Sequence, residues 1–95
     1  MVDKAQRRLA PDHPTGPQIR AARALVGMSA AQLAEAASVA VNTIKRAEAA
    51  DGLAPITAGN ATLILQAIRE AGVELIASDA LHGEGARLTN PRINA

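Results

Sequence analysis

The chain has 95 residues, 48% of them apolar, and neither cysteine nor any aromatic side chain; one small domain is allowed, while disulfide frameworks, zinc fingers and thiol catalysis are excluded. Alanines make up 23 of the apolar residues, so the expected core is thin, and a second subunit is the expected help. A net charge of +1 hides a gradient, +4 over residues 1–46 and −3 over the rest, which suits a polyanion on one face, although scatter in a short chain gives the same pattern.

Residues 1–14 are polar and contain Pro11 and Pro14; they read as a flexible basic arm. Without a signal-peptide core or an apolar run near the roughly 18 residues of a membrane span, a soluble cytoplasmic protein is expected, with no membrane partner. The first helix should start at "TGPQ", capped by Thr15 or Gly16 with Pro17 in the first turn. Ile19, Ala22 and Val26 share one face, and Gly27 ends the helix.

Ser29 and Gln32 spell a capping box for a second helix, with Met28 and Leu33 spaced as a hydrophobic staple. This helix runs to about Ala37. A third fits Val41 to Ala50 and stops at Asp51–Gly52. Thr57 or Asn60 caps a fourth, whose apolar face is Ala61, Ile64, Leu65 and Ile68, with Gly72 as its stop. Beyond it, "VELIA" (73–77) and "GARLT" (85–89) read as two strands of a ribbon across the loop "SDALHGE". The expected domains are therefore an arm (1–14), a helical domain (15–72), a ribbon that is a candidate dimerisation element (73–89), and a tail (90–95).

Two short helices separated by three or four residues suit a helix-turn-helix. Leu33, Ala34, Ala37, Val39, Ile44 and Ala47 are spaced to point inward, which leaves Val41, Asn42, Lys45 and Arg46 outward. On the motifs "IRAARALVGMSAAQLAEAA", "SVAVNTIKRAEA" and "AIREAGVEL", from roughly Ile19 to Leu75, the chain resembles the Cro/repressor type of helix-turn-helix protein. That family includes phage repressors, bacterial transcription regulators and DNA-binding antitoxins. The resemblance implies a mainly α, lambda-repressor-like bundle of four to five short helices with a C-terminal β ribbon, in which the third helix enters the major groove. It also matches Arg23 and Glu48 to a buried ion pair, favoured here over two solvated charges.

The resemblance implies the docking, and side-chain chemistry suggests roles. Asn42 suits an adenine edge, Arg46 suits guanine O6 and N7, and Val41 suits a thymine methyl. Thr43, Lys45 and Arg20 suit phosphates, as do the first amides of the second helix at Ala30. Arg7 and Arg8 in the arm lie along the DNA backbone, enter a minor groove, or only solubilise the end. Three positions depart from the family pattern: Ala30 replaces a common Gln, Ser38 a common Gly, and Ala40 a capping Ser or Thr.

The expected function is a sequence-specific regulator of transcription, most simply a repressor that binds double-stranded DNA as a homodimer in a bacterial or phage setting. Leu63, Leu75, Ile76, Leu81 and Leu88 are candidates for self-association, or else cover the thin core. The alternatives are a DNA-binding antitoxin that holds a protein partner at its acidic C-terminal part, and a helix-turn-helix interaction module that binds no DNA. Catalysis is the weakest reading: His13 and His82 have no metal-ligand spacing, and Glu70 with Glu74 reads as solvated surface. No cofactor is expected.

Overall fold

The computed structural model describes residues 11–92. Four helices precede one antiparallel ribbon: α1 (Gly16–Val26), α2 (Ala30–Ala37), α3 (Val41–Ala49), α4 (Ala58–Glu70), β1 (Val73–Ile76) and β2 (Gly85–Leu88). It is a small, mainly α fold with a C-terminal ribbon. Among the described residues no helix is long and apolar enough to cross a membrane.

The helix ends follow from local chemistry. Thr15, and not Gly16, caps α1: its hydroxyl accepts from Gln18 N–H while the Gln18 carboxamide accepts from Thr15 N–H. The second capping box is the expected Ser29–Gln32 pair. For α4 the cap is Thr57, whose hydroxyl accepts from Asn60 N–H. Ala40, which lacks a side-chain oxygen, gives α3 no such bond. Gly27 and Gly72 take left-handed conformations at the helix exits, φ 66° and 96°, which a Cβ would strain.

Ser38 occupies the same region at φ 59°, where α2 ends and the turn to α3 begins. A Cβ there costs energy that glycine avoids. Ser38→Gly is accordingly expected to raise stability by up to about 1 kcal/mol, seen as a later thermal midpoint. An unchanged or lower midpoint would mean that the serine is not strained.

The core gathers Ile19 and Ala22 of α1, Leu33, Ala34 and Ala37 of α2, Ile44 and Ala47 of α3, and Ile64, Ala67 and Ile68 of α4. Val73 and Leu75 of β1 close it. The alternation along β1, buried then half-buried, is what a ribbon with one packed face requires. Strand pairing runs from Val73 opposite Leu88 to Ile76 opposite Gly85.

Two expectations need correction. The chain is held before Thr15: Pro14 is fully buried, Ala54 N–H donates to the Pro14 carbonyl at 3.0 Å, and His13 Nε2 bonds the Ala54 carbonyl at 2.7 Å. The flexible arm therefore cannot extend through residue 14. Leu75 is also withdrawn as a self-association residue, because at 5% exposure it belongs to the core. Leu88 packs against that core too, whereas Leu63 and Leu81 stay exposed.

Candidate nucleic-acid interface

α2 and α3 are joined by a three-residue turn, Ser38 to Ala40, and Val39 N–H donates to the Ala34 carbonyl at 3.0 Å. The inward side of α3 is Ile44, Ala47 and Glu48, all buried. Because a helix repeats every 3.6 residues, burying that stripe turns Val41, Asn42, Lys45 and Arg46 outward, and all four are exposed. Asn42, Lys45, Arg46 and Ala49 line one shallow depression on this outer face. Among the described residues, neither Lys45 nor Arg46 has an ion-pair or hydrogen-bond partner within the chain. Two cations without an acidic partner in the chain are available to an external anion.

Other expected site residues fall around this helix. Thr43 and Ala30 are half-buried. The Ser29 hydroxyl takes Gln32 N–H, so the amides of Ala30 and Ala31, in the first turn of α2, have no acceptor within the helix and carry its positive end. Arg20 is exposed, but one of its terminal nitrogens donates to the Glu48 carbonyl. That carbonyl is among the last in α3, where intrahelical donors run out, so Arg20 caps the helix C-terminus. Its expected phosphate role is left to its remaining N–H groups. Arg7 and Arg8 lie outside the described residues.

Arg23 and Glu48 form the ion pair that the family resemblance implied. Arg23 Nε donates to Glu48 Oε2 at 2.5 Å and Nη2 to Oε1 at 2.7 Å, a two-pronged arrangement. A third donation, from Nη1, goes to the Met28 carbonyl at 2.9 Å. One guanidinium thus ties the end of α3 to the turn between α1 and α2. Hydrogen bonding to Glu48 holds the Arg23 pKa above the ordinary arginine value, against the opposing effect of burial.

Two residues of the first turn of α1 make long-range contacts that the sequence did not suggest, Gly16 with the end of α3 and Gln18 with the ribbon. Gly16 sits where a Cβ would meet the backbone oxygens of Ala47 and Ala50. Gln18 is buried, and its amide group reaches the ribbon. The T-x-x-Q spacing of Thr15 and Gln18 is a local signal that selects Thr15 over Gly16 as the cap; nothing local pointed to the contacts further along the chain. Comparison of the chain with protein-family models, curated proteins and solved structures gives no match.

Proposed function

We propose that this chain is a sequence-specific, double-stranded-DNA-binding regulator of transcription, a cytoplasmic bacterial or phage repressor that binds an inverted-repeat operator as a dimer. The supporting observation is the outer face of α3: Asn42, Lys45 and Arg46 exposed together, with the two cations unpaired, and the helix clamped from behind by Arg20 and Arg23. A protein-binding helix would instead place apolar anchors at its centre. In this reading α3 lies in the major groove, where Arg46 grips guanine, Asn42 reads adenine and Val41 meets a thymine methyl. Lys45, Thr43, Arg20 and the Ala30 amide hold phosphates and set the register. A dimer places two such helices about one DNA turn apart, roughly 34 Å. Of the side chains expected to serve self-association, Leu63 and Leu81 are exposed and Ile76 is half-buried.

Fluorescence anisotropy of a labelled random duplex, titrated at several salt concentrations, tests the proposal. The expected result is binding whose log K falls linearly with log salt, the slope counting the phosphates neutralised. No binding at low salt would reject the DNA reading. Once an operator is selected, Arg46→Ala should cost about 1–3 kcal/mol and relax preference at one base pair. Lys45→Ala should weaken all sequences alike and flatten the salt slope. Loss of neither affinity nor specificity in these two variants would show that another face is used.

The antitoxin reading keeps the same DNA face and adds a protein partner. Its specific support is Leu81, 85% exposed in the loop between the strands. Co-purification with the product of an adjoining reading frame would favour it.

A further inference from the structure

The first turn of α1 touches both α3 and the ribbon. On one side, Gly16 N–H donates to the Gly52 carbonyl at 2.9 Å. The same residue lies so close to the end of α3 that a Cβ would meet the Ala47 oxygen at 2.7 Å and the Ala50 oxygen more closely still. On the other side stands Gln18, 3% exposed. Its Oε1 accepts from Thr15 N–H at 3.0 Å. Its Nε2 donates twice, to the Ile76 carbonyl at 2.9 Å and to the Gly85 carbonyl at 3.1 Å.

Capping α1 needs only the carboxamide oxygen. The two donated bonds do something separate. Ile76 and Gly85 face one another at the last register position before the loop, so a single amide group grips both strands where their pairing ends. A two-stranded ribbon is marginal by itself and takes its orientation from what it packs against. At its other end it is closed by Thr89 N–H bonding the Gly72 carbonyl at 2.9 Å, next to the end of α4.

We infer that Gln18 is a positioning residue that fixes the angle between the ribbon and α3, with the first turn of α1 as the rigid link between them. The mechanical link stands on these contacts alone; its consequence for function rests on the proposal that α3 reads DNA in a dimer joined through its C-terminal parts. When two copies associate through their C-terminal parts, the ribbon angle sets the separation of the two α3 helices. It thereby sets the half-site spacing that the dimer accepts.

The test uses Gln18→Met in the full chain, a change that keeps side-chain length and removes the two donors and the acceptor. Hydrogen exchange followed by NMR should show about tenfold lower protection for the β1 and β2 amides, and also for Gly16 and Ala50 at the junction with α3. Amides in the middle of α2 should keep theirs. Loss confined to the ribbon would overturn the link. Should the variant not fold, the unaltered protein decides: Gly16 and the ribbon amides should share one opening free energy across a urea series, and separate openings would overturn the link. Selection from a random duplex library should then return the same half-site bases for Gln18→Met but a broader range of spacers. A spacer preference as sharp as the parent's would overturn the positioning role. Failure of the parent protein to bind any duplex would reject the DNA reading, while the exchange data decide the link independently.

Discussion

Glu48→Ala is expected to lower the unfolding free energy by about 3 kcal/mol, the lower end of the range for breaking a buried ion pair. Glu48 is 8% exposed, and the Arg23 guanidinium beside it directs two donors at its carboxylate. Removing the acid leaves that cation half-buried and keeps only its bond to the Met28 carbonyl. Arg23 retains some access to water, which is why the low end of the range applies. In a domain whose total stability is of order 5–15 kcal/mol, such a loss is large. The double replacement Arg23→Met with Glu48→Leu should cost much less, because neither desolvated charge remains. Urea denaturation of Arg23→Met, Glu48→Leu and the double variant gives the coupling directly. Single variants as stable as the parent would mean that the pair does not hold α3 in place.

The pH dependence of this pair has a definite sign on the arginine side. Bonding to Glu48 raises the Arg23 pKa in the folded state. The stabilisation it represents is therefore complete at any pH below the unfolded arginine value. It disappears only as pH rises through the folded value, in strongly alkaline solution. Urea midpoints across the neutral range should not move on account of Arg23.

The second large effect is expected from Gly16→Ala. Alanine is the better helix former, by up to about 1 kcal/mol. Here, however, its methyl group would press on the backbone oxygens of Ala47 and Ala50, which no rotamer change can move aside. Either α1 or the end of α3 must shift, and the net loss should be about 2–3 kcal/mol, read from urea or thermal unfolding. The exposed Gly59, where a Cβ would meet nothing, is the control, and Gly59→Ala should be neutral or stabilising. A stabilised Gly16→Ala would show that the two helix ends pack more loosely than their geometry implies. If α3 is the DNA-reading helix, duplex affinity should fall along with stability, since the displaced element is the one that docks.

The helices were legible in the sequence because their signals are local. Ser29 and Gln32, three residues apart, make the capping box that the spacing implies, and Gly27 and Gly72 end helices with the positive φ that glycine permits. The 3.6-residue period of Leu33, Ala34 and Ala37, continued by Ile44 and Ala47, was enough to turn Asn42, Lys45 and Arg46 outward. Even the ribbon showed itself, through a change of period after Gly72. Thr57 is a case in which local chemistry left two candidate caps, and the folded backbone selected one.

What the tertiary structure alone decided are contacts between residues far apart in the chain. Arg20 reaching the end of α3, Gln18 gripping Ile76 and Gly85 across sequence separations of 58 and 67, and Gly16 abutting Ala47 and Ala50 leave no periodic trace. The burial of Leu75 belongs with them: alternation along the strand gave it a face, but only the packing of the ribbon on the helices decided that this face is covered. Secondary structure and helix polarity depend on neighbours within about one turn, so the sequence by itself determined them. Which apolar stripe meets which, and where a polar side chain finds its second partner, depends on closure of the whole chain into one arrangement, and that is settled only when all the helices and the ribbon pack together.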